Sequence, residues 1–216
     1  MKPVSSSGRY RAVTLIEVVV VIAVVVVLVG LVLPALAPAK RKTKRLGCTN
    51  CLKQVGLAFR IFENDNDDTF PMGVSTNKGG TMEYLTTGQP FYHFRVMSNE
   101  LSTPKVLVCP TDSRKPAFSF SVLSNVNLSY FVGFVTNSVN PQAVLGGDRN
   151  LMTNGVPIRG GLFVLTTNET VGWTAAIHQN SGNILLGDGS VQQTTSSRLL
   201  DLLRESGMAT NRLAIP

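Results

Sequence analysis

From Val13 to Leu33 the chain runs through 21 residues in which Glu17 is the only charged side chain. A helix of about 20 apolar residues, rising about 1.5 Å each, crosses a hydrocarbon core of roughly 30 Å. The run is therefore expected to be a single membrane-spanning helix. Its many valines are no obstacle, because in lipid every backbone N–H and C=O must be satisfied within the segment itself. A carboxylate near the start of such a span is costly and calls for a partner. The alternative is a plain anchor with Glu17 at headgroup level.

The residues around Glu17 narrow the choice. A Ser-rich basic leader, Met1 to Ala12, precedes Thr14-Leu15-Ile16-Glu17 and an unbroken apolar run. This arrangement resembles the prepilin signal of type IV pilins and type II secretion pseudopilins. The resemblance implies cleavage by the prepilin peptidase between Ala12 and Val13, then methylation of the new N-terminus. Ala12 stands where the family usually has Gly, and Val13 where it usually has Phe. Glu17 matches the family's glutamate, which pairs with the N-terminal ammonium of a neighbouring subunit and so sets the register of assembly. Pro34 falls where pilins often carry a helix-kinking proline.

A second resemblance begins at Cys48-Thr49-Asn50-Cys51-Leu52-Lys53-Gln54-Val55-Gly56-Leu57-Ala58. It is similar to a run found just after the anchor in pilin-like proteins of planctomycete and verrucomicrobial lineages, with Cys51 in place of the usual Asn. Val108-Cys109-Pro110-Thr111-Asp112 and Gly187-Asp188-Gly189-Ser190-Val191 resemble the same group.

Charge adds little beyond this. Losing Lys2, Arg9 and Arg11 with the leader would lower the formal net charge from +7 to +4. Five further cations, Lys40, Arg41, Lys42, Lys44 and Arg45, cluster just after the span. The chain beyond residue 46 is near neutral and offers no basic face for nucleic acid. Counted alone, the positive charges favour a cytoplasmic C-terminal side. The resemblance places the leader in the cytoplasm instead, and the cluster then faces lipid headgroups or acidic neighbours.

Beyond the span, Pro34 and Pro38 are expected to bend the helix without ending it. The helix should resume to about Asn64, with Leu46, Val55, Leu57, Ala58, Ile61 and Phe62 as its apolar stripe. It should stop in Asn64-Asp65-Asn66-Asp67-Asp68, before Pro71. That acidic stretch lacks the Gly and Glu of a hand-shaped calcium loop and reads as a solvated helix end. Residues 72–90 read as a long loop, and Pro90 to Met97 as a short aromatic segment at the helix–sheet boundary. Val106 to Val108 reads as a short buried strand, Leu128 to Val135 and Leu162 to Leu165 as further strands. Gly146 to Asn150 reads as a tight turn in which Asp148 and Arg149 pair locally. Asp188-Gly189 between apolar runs is a hairpin signal. Ser197 to Ser206 reads as a short amphipathic helix.

Cys48, Cys51 and Cys109 leave several readings open. Cys-x-x-Cys is no haem site, because Leu52 stands where His is required. A zinc site would draw on the three cysteines with His93 or His178. A thioredoxin-like role lacks its preceding strand. By the resemblance, Cys48 and Cys109 are the pair for a disulfide outside the cytoplasm; the alternative is reduced, buried cysteines. Asp188 is a turn residue or, by resemblance to major pseudopilins, a ligand of structural calcium. No other cofactor and no catalytic set is expected: His178 and Asp188 lack a nucleophile, and there is no phosphate loop.

The expected fold is α+β: a long N-terminal helix, transmembrane in its first half, packed on a small C-terminal antiparallel sheet, as in pilins. The divisions are a leader at 1–12, a spanning segment at 13–35, its amphipathic continuation at 36–64 and a globular domain at 65–216. The expected function is a non-enzymatic filament subunit of a type II secretion pseudopilus or type IV pilus. Its partners would be the prepilin peptidase, other pilin subunits, the inner-membrane assembly platform and lipid. It would be a single-pass protein of the inner membrane with its globular domain in the periplasm or an extracellular filament. The alternative is a non-polymerising, membrane-anchored surface binding protein.

Overall fold

The computed structural model describes residues 14–166 and 169–216, and their side chains except those of 33–41. The leader and the cleavage pair Ala12 and Val13 lie outside the described residues. The chain divides into two compact units, residues 1–43 and 44–216. Helix α1 (Leu15–Asn64) begins in the first and ends in the second, continuing past Pro34 and Pro38 without ending.

In the first unit, Leu15–Val32 is long and apolar enough to cross a membrane, and none of it is buried by the protein. The start of α1 is capped from within. The Thr14 amide and hydroxyl donate to Glu17 Oε2 at 2.8 and 2.7 Å, and the Glu17 amide donates back to Thr14 Oγ1 at 3.4 Å. Thr-x-x-Glu is thus a capping box that satisfies orphan donors of the first turn.

The second unit is α+β. Strands β1 (Tyr130–Gly133), β2 (Val144–Asp148), β5 (Gly161–Thr166), β7 (Ser181–Leu186), β8 (Val191–Thr195) and β9 (Thr210–Ile215) form a six-stranded antiparallel sheet in the order β5-β9-β1-β2-β7-β8. Strands β3 (Leu151–Thr153), β4 (Val156–Pro157) and β6 (Val171–Trp173) make a smaller sheet in the order β4-β3-β6. Side chains of successive strand residues point to opposite faces, and both faces of the large sheet are covered. Tyr130, Val132, Leu145 and Leu185 join one core with Leu52, Val55, Phe59 and Phe62 of α1. Phe131, Val144, Ile184 and Leu186 join the other with Leu199, Leu202 and Leu203 of α4 (Ser196–Glu205) and with Trp173. Strands β1, β2 and β7 are therefore buried along their whole length, as expected where a sheet is covered twice.

Gly56 lets α1 approach the β7–β8 turn. A Cβ there would lie 2.6 Å from Leu185 Cδ1 and 3.1 Å from the Gly189 carbonyl oxygen. The helical stripe differs from the expected one: Val55, Ala58 and Phe62 are buried, but Leu46, Leu57 and Ile61 are exposed, and Cys48, Leu52 and Phe59 take their place. The inward face is set by the sheet it meets, which helical periodicity alone does not identify.

Other local expectations are corrected. Val106 and Leu107 belong to a 3-10 turn (Pro104–Leu107), because Pro104 starts it and Thr103 caps it, accepting from the Lys105 amide. Residues 72–90 hold short 3-10 turns instead of a bare loop, and the aromatic segment is a helix, α2 (Pro90–Val96), that buries Phe94 against Phe59 and leads into the single turn α3 (Ser98–Leu101). Gly146 to Asp148 lie in β2 and not in a turn. Gly147 is there for close approach, since a Cβ would sit 2.7 Å from the Asn183 carbonyl oxygen and 2.8 Å from the Phe131 ring.

Candidate functional site

Four segments distant in sequence meet under the sheet in the second unit. Cys48 comes from α1. Cys109 opens a turn closed by the Asp112 amide donating to the Cys109 carbonyl at 2.9 Å, with Pro110 at the position that suits its fixed φ. Asp148 ends β2. His178 precedes β7, where Gln179 and Asn180 turn the chain with successive positive φ values of 54° and 61°. All four side chains are buried, and one ligand atom from each lies within 4.8 Å of every other.

The contacts are specific. Cys48 Sγ donates to Asp148 Oδ1 at 3.4 Å, and Tyr130 Oη lies 3.4 Å from the same sulfur. Cys109 Sγ lies 3.5 Å from His178 Nε2 and 2.9 Å from Thr111 Oγ1. His178 Nε2 lies 3.4 Å from Asp148 Oδ2. Asn183 completes the set: its amide N–H and its Nδ2 donate to Asp148 Oδ2 at 2.7 and 2.9 Å, and Nδ2 reaches Cys48 Sγ at 3.5 Å.

Burial pushes the Asp148 carboxyl up to about 7, against the opposing pull of His178. The two thiols are shifted in opposite directions. Cys48 is raised by its bond to Cys109 and by burial, while Cys109 is lowered by that same bond and by His178. Burial acts to lower His178, but the bond to Cys109 and the Asp148 charge outweigh it, so the imidazole is held above its usual value.

Beside this cluster, Arg149 grips Asp112 in a fork, Nε to Oδ2 and Nη2 to Oδ1, both at 2.8 Å, and Ser129 Oγ adds a third bond at 2.8 Å. Arg149 therefore pairs across the fold with Asp112 and not with its neighbour Asp148. The fork ties the Cys109 turn to the end of β2.

Of the residues singled out from sequence, Cys48, Cys109 and His178 come together. Cys48 and Cys109 are free thiols here, not a disulfide, and Cys51 is a half-buried free thiol outside the cluster. His93 lies elsewhere, bonded to Thr81 Oγ1 at 2.7 Å. Asp188 is exposed in the hairpin turn, where its Oδ1 accepts from the Ser190 amide at 2.8 Å. Sequence alone does not mark Asp148 or Asn183 as site residues. The two glycines before Asp148 read as a turn, and no local pattern singles out Asn183.

Glu17 is the other candidate from the sequence, and its side chain is engaged by Thr14. The Thr-x-x-Glu spacing is the sequence signal for that bond. Comparison with known proteins finds no matching family model, no matching curated protein and no matching solved structure.

Proposed function

We propose that the chain is a pilin-like structural subunit of a type II secretion pseudopilus or type IV pilus. In this reading the prepilin peptidase cuts between Ala12 and Val13 and methylates the new N-terminus. The subunit waits in the inner membrane and then joins a filament through its apolar helix. The observation that carries the reading is the wholly unburied Leu15–Val32 surface, continuous in one helix with a folded α+β domain. Apolar surface of that extent needs a cover, either lipid or the same helix of neighbouring subunits. Supporting it is the position of Glu17, one charged group at the start of that surface, where a neighbour's ammonium would neutralise it.

The second reading, a single-pass anchored binding protein that does not polymerise, is favoured by the capping box. Thr14 supplies Glu17 with two donors from its own chain, so the carboxylate has a structural task without a neighbour. Glu17→Gln separates the two. Glutamine serves at the third position of a capping box as glutamate does, but it carries no charge to pair with an ammonium. A filament subunit should lose assembly in Glu17→Gln, read as loss of subunit cross-links in its own cells, while membrane insertion persists. Full assembly of Glu17→Gln would refute the filament reading.

A further inference from the structure

We propose that Cys48 Sγ, Cys109 Sγ, His178 Nε2 and a carboxylate oxygen of Asp148 bind one zinc ion, which fastens the C-terminal part of α1 to the large sheet. The donor set is two thiols, one imidazole and one carboxylate. Such borderline-soft mixtures suit zinc, whereas calcium and magnesium take oxygen ligands throughout.

The geometry fits an ion of that size. Tetrahedral zinc with bonds of about 2.0–2.3 Å sets its ligand atoms about 3.3–3.8 Å apart. The separations here are 3.5 Å for Cys109 Sγ to His178 Nε2, 3.4 Å for Cys48 Sγ to Asp148 Oδ1 and 3.4 Å for His178 Nε2 to Asp148 Oδ2, and one ligand atom from each residue lies within 4.8 Å of every other, a spread that small side-chain rotations close onto an ion. These atoms come from four segments that no local turn could bring together, so their convergence is a property of the whole fold.

The surrounding groups are those a zinc site requires. Thr111 Oγ1 lies 3.3 Å from His178 Nδ1, which orients the ring so that Nε2 faces the other three donors. Orientation of a ligating imidazole through its second nitrogen is the general pattern. Asn183 donates to Asp148 Oδ2 and reaches Cys48 Sγ, so its amide would hold the carboxylate and one thiolate in place. Loading the ion sends the thiol protons to solvent, and the dication then balances the two thiolates, leaving the single negative charge of the carboxylate on the loaded cluster. With four protein ligands, all buried, the site has no open position for substrate and is structural. The inference is independent of the filament reading, since a zinc clamp would serve an anchored protein equally.

The test uses the full chain in detergent, prepared with reductant from its own cells, and reads zinc by elemental analysis after gel filtration. Wild type and Cys51→Ser should each retain about one zinc per chain. Cys48→Ser and Asp148→Asn should each weaken zinc retention by about tenfold or more. Because these variants could fail to fold, wild-type protein stripped with chelator and reloaded with cobalt(II) gives a second readout. Thiolate-to-cobalt charge-transfer bands with intense tetrahedral visible bands are expected. Wild type without zinc, Cys48→Ser with undiminished zinc, or cobalt lacking thiolate bands overturns the proposal. So does a Cys48–Cys109 disulfide in non-reduced protein from its own cells, seen as linked peptides lighter by two hydrogens.

Discussion

The Arg149–Asp112 fork offers a sharp test of how the second unit is held together. The Asp112 side chain is 1% exposed and that of Arg149 22%, so the pair is largely dry. Burial alone would raise the Asp112 carboxyl, but the Arg149 and Ser129 bonds outweigh it and hold the group below its usual value. In Arg149→Met the carboxylate keeps Ser129 and the Arg114 amide but loses the guanidinium fork. Removing one partner of a buried pair costs about 3–5 kcal/mol, and the partial exposure of Arg149 places the expected loss near about 3 kcal/mol at pH 7. The lowered group also fixes the direction of the pH dependence. In wild type it contributes stability above the unfolded pKa of about 3.9, lost as pH falls through the folded value. In Arg149→Met burial is no longer offset, so the folded value should rise. Its penalty then applies at neutral pH and is relieved as pH falls and Asp112 takes a proton. The variant's deficit should therefore shrink on acidification, and adding Asp112→Asn should restore part of the loss at pH 7. The assay is urea unfolding of the full chain in detergent, followed by the fluorescence of Trp173, the sole tryptophan and fully buried. A deficit below about 1 kcal/mol, the range of exposed pairs, or one independent of pH, would refute the reasoning.

Three further outcomes are expected. His93 is buried and desolvation pulls it down to about 4. Its contribution is full above the unfolded pKa of about 6.5 and falls as pH drops toward 4, by about 3 kcal/mol, so His93→Gln should flatten that acid limb in the same unfolding assay. Gly56→Val should lose about 1–3 kcal/mol by overpacking against Leu185 and the Gly189 carbonyl; a gain would show that α1 can move away from the β7–β8 turn. Leu202→Ala should cost about 2–5 kcal/mol by leaving a cavity between α4 and the sheet, and an unchanged midpoint would show that α4 is not part of the core.

The strongest sequence signals are those confined to one stretch. An apolar run, a helix ending where Asn and Asp cluster, an Asp-Gly hairpin and the leucines of α4 each declare themselves within one short segment. The inward face of α1 is harder to read. Leu57 and Phe59 are both apolar, and only the position of the sheet decides that Phe59 is buried and Leu57 exposed. Gly146-Gly147-Asp148 reads locally as a turn, but the glycines let Phe131 and β7 come close inside the sheet. The turn reading hides Asp148, and with it the fourth member of a cluster whose two cysteines and histidine are legible as candidates. The convergence of Cys48, Cys109, Asp148 and His178 depends on strand order, which no single segment carries.

The filament account is tested most directly by the intact mass and N-terminal sequence of the protein from its own cells. The account predicts a chain that starts at Val13 and is heavier by one methyl group. A chain that retains Met1, or one cut after the apolar run, would contradict it.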